Sequence, residues 1–539
     1  MVRFGIFLGL VLSQPVLGPV FAQVSGDATT LEPEITTVVT PPGQPGLLEL
    51  RAWAGHPDVL EFYARREFAP AWEDPEQLRR LVDMLGSLVD DGLDPSGYDR
   101  PALKAWLMGA STDEGAFVDV ELRASRALLR ALDHLRWGRL DPGEVEAIWM
   151  RQPVRDEVRH RELVMSLASE ALQDMSAAFD MARPDTELYA ALRNLHLRLR
   201  KDLALPEGPT LPPGPLLREG MFDPRIPALR EVLRQLPPEA DTGAEYAELY
   251  DPALVAAVKA FQRSHGLVTD GIVGPQTRAA MNRSRKERLE QVRVNLERLR
   301  WIASLAQTDL VRVDLAGGTV DFLRDGQSLW KSRVQVGRPS RPSPSLMSEI
   351  THLTLNPTWT VPPTILRNDT LPAIREDRGY LERNRMRVLD FSGRELSADE
   401  VDWDRPAGIM LRQDPGPFNA LGEVALRFDN PFMVYLHDTP SQRLFEREQR
   451  AFSSGCVRVE RARELVEMLL RNESEPRRLE AMRLLEGGQT RDFHLIRPIP
   501  ILMAYWTVGL DTDGEVEFRP DVYQLDAALA RALDEAEPR

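Results

Sequence analysis

The chain has 539 residues, a formal net charge of −16 at pH 7 and 43% hydrophobic residues. That length allows about three domains of ~100–200 residues each. The acidity argues against a nucleic-acid partner, which needs a basic face, and fits simple solubility. Cys456 is the one cysteine, so no internal disulfide can form. In an oxidising compartment such a thiol is open to oxidation or mispairing.

The N-terminus "MVRFGIFLGLVLSQPVLGPVFAQ" places Arg3 before an apolar run from Phe4 to Leu12, with Val20 and Ala22 ahead of Gln23. This pattern predicts a secretory signal peptide over residues 1–22, with a retained membrane anchor as the alternative. No later segment reaches about 18 uninterrupted apolar residues. Residues 23–48 are rich in Thr, Pro and Gly and read as a disordered linker. Residues 49–215 read as a helical scaffold. In "PEQLRRLVDMLGSLVDDGLDPSGY", Leu78, Leu81, Val82, Leu85, Leu88 and Val89 keep the 3.6-residue period between Pro75 and Gly92. His134 lies among leucines with no second ligand at metal spacing, so a core or surface role is expected.

A compact unit follows over residues 216–283. The helix with Leu254, Val255, Val258 and Phe261 carries one apolar stripe, and "GLVTDGIVGPQT" supplies a glycine-rich turn. "AVKAFQRSHGL" and "DGIVGPQT", with Ala279 and Met281 closing the core, resemble the peptidoglycan-binding domain 1 family. The resemblance implies a ligand in glycan or stem peptide; an inert spacer is the alternative. Residues 284–307 read as an amphipathic connector helix, with Leu289, Val292, Leu296 and Leu299 on one side and charges between.

From residue 308 to 526 the pattern alternates, as in "LVRVDLAGGTVDFLRDGQSLWKSRVQVG", and predicts a β-rich domain. Residues 367–404 interrupt it with polar, partly helical sequence expected to form a lid or arm. Residues 527–539 read as a C-terminal tail.

Within this domain His437 ends the strand "FMVYLH", and Cys456 follows nineteen residues later in "SSGCVR". The stretch "VRVERARELVEMLLR" reads as a helix, which would put the thiol at a helix N-terminus and Arg458 in the first helical turn. There the dipole favours a thiolate and free N–H groups can hold an oxyanion. Gly455 gives a substrate carbonyl room to approach, and an imidazole can take the thiol proton or share it. These features support a Cys/His acyl-transfer centre over an inert buried cysteine. One Cys and one His fall short of a zinc site. The order His-then-Cys also differs from papain-like proteases.

"SSGCVR" and "YLHDTP", with "VGRPSRPSP", "LNPTWTVPPTI" and "RQDPGPFNALG", resemble the L,D-transpeptidases of the YkuD fold. The domain order resembles their large YcbB-like branch. The implied fold is multidomain α+β: a helical scaffold, a small helical peptidoglycan-binding module and a β-rich catalytic domain with a capping insertion. The resemblance implies that Cys456 is the nucleophile and His437 its base, without metal or organic cofactor. It implies an oxyanion hole from the backbone N–H groups near Gly455 and Cys456, with Ser454, Ser453 and Arg458 in the supporting loop. Trp359, Tyr435 and Asn419 are expected near the substrate cleft. Asp438 stands where many relatives carry Gly or Ser, so a backbone carbonyl is expected to orient the imidazole. Ser343 in "PSP" replaces the more usual Thr before Pro. The implied reaction is a periplasmic 3→3 cross-linking of peptidoglycan stems. Water, or a lysine of a cell-envelope protein, are alternative acceptors. Cell-wall synthesis proteins are conceivable partners, and a non-catalytic wall-binding scaffold is the rival class.

Overall fold

The computed structural model describes residues 56–109, 114–146, 149, 157–235, 246–302, 309–447, 449–511 and 513–536. The expected signal peptide and linker, residues 1–48, lie outside the described residues. Among those described, no helix is long and apolar enough to cross a membrane.

The scaffold helices form where the periodicity places them. Asp74 caps Pro75–Ser87 by accepting the Glu76 amide, and Leu78, Leu81, Val82 and Leu85 are buried along one face. Gly92 ends the following turn with φ of +74°. His134 is a core histidine that meets the Tyr98 hydroxyl at 2.9 Å, and burial pushes its pKa down to about 4.

In the module, Leu254, Val258, Phe261 and Met281 are buried together. Gln262 ties the glycine-rich turn, donating to the Asp270 carboxylate and the Ile272 carbonyl while accepting from Gly271 N–H. Ala279 does not close the core as expected. It is exposed, and Ala280 takes the inward position because the helix Pro275–Met281 is rotated by one residue from that reading.

The connector helix, Arg285–Trp301, starts with a capping box of Ser284 and Glu287. Its charged face was expected in solvent, and the structure buries it instead. Arg298 meets Glu146 of the scaffold at 2.9 Å and Asp526 at 2.6 Å. Arg300 meets Glu297 at 2.6 Å and donates to the Asp91 carbonyl and the Tyr189 hydroxyl. Arg298 and Arg300 thus each find a polar partner in a distant segment, whereas buried Arg288 donates to the nearby Arg283 and Ala280 carbonyls. The expected C-terminal tail is also corrected. Residues Asp526–Glu535 form a helix whose Leu529 and Leu533 pack against Val294 and Trp301 of the connector.

The C-terminal region carries strands β1 (Asp309–Asp314), β2 (Thr319–Arg324), β3 (Gln327–Gly337), β4 (Leu346–Leu355), β5 (Trp359–Thr360), β6 (Met386–Asp390), β7 (Ile409–Gln413), β8 (Val424–Phe428), β9 (Leu436–His437), β10 (Ala451–Ser453), β11 (Val457–Val459), β12 (Arg491–Ala504), β13 (Val508–Leu510) and β14 (Val516–Phe518). The order β3-β11-β9-β8-β4-β12-β1-β2 closes on itself through β2–β3 pairing, and β10 lies on the end of β3. Val313, Phe322, Val334, Leu353, Leu426, Leu436, Val457 and Met503 fill the interior. The fold is therefore α+β, helical before the barrel, with the sheet and a few further helices in the C-terminal part.

The insertion is wider than residues 367–404. β5, β7 and β6 form a separate three-stranded sheet, so the arm spans 359–413. It has its own core of Val361, Ile374, Val388, Trp403 and Leu411.

Candidate active site

β9 runs parallel to β11 and antiparallel to β8, with Leu436 opposite Val457, His437 opposite Arg458, and Ala425 opposite His437. Side chains alternate across a strand. Leu426, Leu436, Val457 and Val459 point into the barrel, so Arg427, Tyr435, His437, Cys456 and Arg458 share the other face. Cys456 precedes β11 opposite Tyr435, whose carbonyl accepts the Val457 amide at 3.1 Å. The parallel β9–β11 pair thus brings thiol and imidazole to neighbouring positions, and the nineteen-residue loop makes the return crossing.

This corrects the expected helix. Val457–Val459 is a strand, and the helix begins only at Ala462, so Cys456 is not at a helix N-terminus and Arg458 is a strand residue. Pairing with Gln335 and Val334 of β3 holds these residues extended against their helical period.

The turn carrying Cys456 is braced from within and from behind. Ser453 Oγ donates to the Cys456 carbonyl and accepts Gly455 N–H at 3.1 Å. Gly455 has φ of +115°, which favours glycine. Its N–H is engaged by Ser453, so the expected oxyanion role narrows to the Cys456 amide, which meets no acceptor among the described residues. Ser343 is fully buried; its hydroxyl donates to the Gly455 carbonyl at 2.7 Å and accepts Gly337 N–H at 2.9 Å. Tyr523 donates to the Gly337 carbonyl at 2.8 Å and accepts the Ser343 amide at 3.2 Å. Ser454 is exposed and meets Arg341 at 3.1 Å. Arg341 and Arg338 both grip Asp369 of the arm, at 2.6 and 2.8 Å.

His437 is buried, and its Nδ1 bonds the carbonyl oxygen of Asp438. A carbonyl only accepts, so Nδ1 carries the proton and Nε2 is left as the basic nitrogen. The Asp438 carboxylate does not touch the ring; it accepts Glu423 N–H at 3.0 Å and fixes the backbone that orients it. Burial, with repulsion from Arg458 and Arg427, pushes the His437 pKa down to about 3. Burial also raises the Cys456 pKa, opposed by hydrogen bonding from Tyr435 and by Arg427 and Arg458. At neutral pH both groups are uncharged, rather than the ion pair that a helix N-terminus would have favoured.

Arg427 was not singled out by the sequence. Its guanidinium lies 4.0 Å from the centre of the Tyr435 ring, and Thr354 Oγ1 anchors it at 3.1 Å. The alternation in "EVALRF" was the available signal. Arg458 donates to Gln335 at 3.2 Å, and its buried Nε has no acceptor among the described residues. Tyr435 belongs to the site, its ring centre 5.6 Å from that of His437. Asn419 and Trp359 make no side-chain contact with these residues among those described. Asn419 is buried and clasps the base of the arm, donating to Pro357 and Asp414 carbonyls at 2.9 and 3.0 Å, while Trp359 packs into the arm's core.

Three family models match the chain: a scaffold domain over residues 57–195, a "Putative peptidoglycan binding domain" over 224–281 and an L,D-transpeptidase catalytic domain (YkuD) over 308–479. A Haemophilus influenzae protein named "Putative L,D-transpeptidase" is 30% identical over 245 residues, 44% of this chain and 49% of that protein. The chain thus spans about half the length of the curated relative it matches. Among solved structures, an L,D-transpeptidase of Xylanimonas cellulosilytica is 17% identical, covering 54% of this chain and 99% of that one at a TM-score of 0.18. Another from Stackebrandtia nassauensis is 17% identical, covering 48% and 91% at a TM-score of 0.19. Residues 308–479 thus match an L,D-transpeptidase catalytic domain (YkuD), behind matches to a scaffold domain and a peptidoglycan-binding domain.

Proposed function

We propose that the protein is an exported peptidoglycan L,D-transpeptidase acting through Cys456. The observation that carries this is the placement of Cys456 and His437 on one face of two paired strands, with His437 Nδ1 held by Asp438. In the first step Cys456 Sγ attacks the carbonyl after the third residue of a tetrapeptide stem. An S–C bond forms, the C–N bond to terminal D-Ala breaks, and His437 Nε2 carries the thiol proton to the leaving amine. The Cys456 amide is the donor best placed for the oxyanion. Arg458 and Arg427 supply positive potential that eases the passing charge on sulfur and holds the resting imidazole neutral. In the second step the side-chain amine of another stem attacks the thioester and releases the thiol, leaving a 3→3 cross-link.

Purified protein given disaccharide-tetrapeptide should release D-Ala and form a 3→3 dimer, and Cys456→Ala should do neither. Trimmed tripeptide without dimer would make the protein a hydrolase. Full activity of Cys456→Ala would remove the nucleophile assignment. Absence of a carbapenem adduct on the intact protein would favour a wall-binding scaffold.

A further inference from the structure

A cavity of about 360 Å³ lies between the peptidoglycan-binding module and the catalytic domain, away from the thiol. The module contributes the turn after its helix Pro252–Ser264. The barrel contributes the β1–β2 hairpin and the residues leading into β10. The two parts are packed together there: His265 stacks on Phe261 at 3.9 Å and on Phe518 of β14 at 5.6 Å.

Five arginines and two glutamates line the cavity, on a chain whose net charge is −16. Arg333 is neutralised by Glu460, and Arg519 by Asp314 and Glu517. Arg450 is different: it donates only to carbonyl oxygens, of Val334, Arg447, Gly317 and Gly318, at 3.1 to 3.3 Å. Gly318 has φ of +61°, and a Cβ there would lie 2.8 Å from this guanidinium, so the hairpin turn is shaped around it. Arg263 and Arg447 are exposed at the rim and meet no carboxylate among the described residues. Arg450 makes no direct ion pair, and burial with repulsion from Arg333 lowers its pKa even though Glu460 and Glu517 oppose that shift from further away. Leu267 and Phe445 give the same cavity an apolar wall. Arg450, Arg263 and Arg447 thus add three cations outside any ion pair against Glu446 in the same lining, and this positive excess beside apolar surface suits a carboxylate-bearing peptide end better than a neutral sugar chain.

We infer that this cavity binds the carboxylate-bearing end of a peptidoglycan stem peptide, held jointly by the module and the catalytic domain. The inference rests on the proposed peptidoglycan substrate and adds a second site for it. Its position gives it a role in aligning the wall with the thiol. Ala451, which begins β10, and Tyr523 both line the cavity. β10 leads to Ser453, and Tyr523 holds Gly337 and Ser343 behind Gly455.

The test is hydrogen exchange on the full chain carrying Cys456→Ala, with disaccharide-tripeptide as the probe. Slower exchange is expected in 263–269 and in 449–451. The exposed double variant Arg263→Gln/Arg447→Gln should abolish that slowing and weaken binding at the cavity about tenfold, the loss of two exposed charge contacts. Protection confined to 453–458 would overturn the cavity site while keeping the peptidoglycan reading. Protection nowhere would overturn both. Equal protection at the cavity by an uncharged chitin oligosaccharide, or by the probe with its carboxylates amidated, would overturn the carboxylate assignment.

Discussion

Removing the Ser343 hydroxyl tests whether the nucleophile turn is held from behind. Ser343→Ala leaves the Gly455 carbonyl and the Gly337 amide without their buried partner, at distances now of 2.7 and 2.9 Å. Each unsatisfied buried group costs about 1–3 kcal/mol, so the turn should lose ~2–4 kcal/mol after partial relaxation. In a domain of this size about 1 kcal/mol corresponds to ~2–4 °C, so Tm should fall by ~5–15 °C if the turn unfolds with the domain. Ser343 touches no reacting atom in the proposed chemistry, and its effect on Cys456 is one of positioning. The rate of Cys456 acylation by a carbapenem, followed by intact mass, should therefore fall along with Tm. Ser343→Thr keeps the hydroxyl and should restore both readouts. Wild-type acylation and unchanged Tm in Ser343→Ala would refute the brace. So would an acylation loss that Ser343→Thr leaves uncorrected while Tm recovers.

The neutral resting pair predicts that kcat/KM has no inflection between pH 6 and 7, because His437 titrates near 3 and Cys456 above its ordinary value; an inflection there would place the imidazole in a solvated setting. Asp369→Asn breaks the grip of Arg338 and Arg341 on the arm. With side chains up to about a third exposed the loss should be only ~1 kcal/mol, seen as faster hydrogen exchange across 363–376, and unchanged exchange would show the latch to be idle. Buried His196, its pKa pushed down to about 4, should make the fold less stable as pH falls below the unfolded value of about 6.5. The unfolded state then binds the extra proton, a loss of ~2 kcal/mol by pH 5. His196→Leu should lose that much less than wild type between pH 7.5 and 5 in denaturant titrations, and parallel curves for the two proteins would contradict it.

The helical half was legible because its signals are local. Asp74, Pro75, the leucine period and Gly92 all lie within one short stretch and agree. The connector helix defeated the same reading because its Arg298 is satisfied by Glu146 and Asp526, more than a hundred residues away on either side. No periodicity records a partner that distant. Cys456 and His437 were visible as residue types in a spaced pattern, whereas their juxtaposition depends on a parallel strand pair two residues long on one side. The three residues of β11 were absorbed into the stronger helical period of the sequence after Ala462. Arg427 could have been found from the alternation that buries Val424, Leu426 and Phe428 on the opposite face. Ser343 stood out only as a departure from the family's Thr-Pro, since a lone serine between prolines carries no sign of the carbonyl it holds.

The resting charge state also bears on why a single thiol could persist if the chain is exported, as proposed. A thiolate is both the better nucleophile and the form most open to oxidation. At a helix N-terminus the sulfur's pKa would be lowered and the charged form favoured. On the outer face of β11, half-buried beside Tyr435, it stays protonated, and the imidazole that could take its proton is itself held neutral by burial and two arginines. Neither group gains from proton transfer until a carbonyl oxygen arrives to accept negative charge near the Cys456 amide. The same arginines that oppose an imidazolium favour that developing anion, so the field that keeps the pair idle lowers the barrier once substrate is bound.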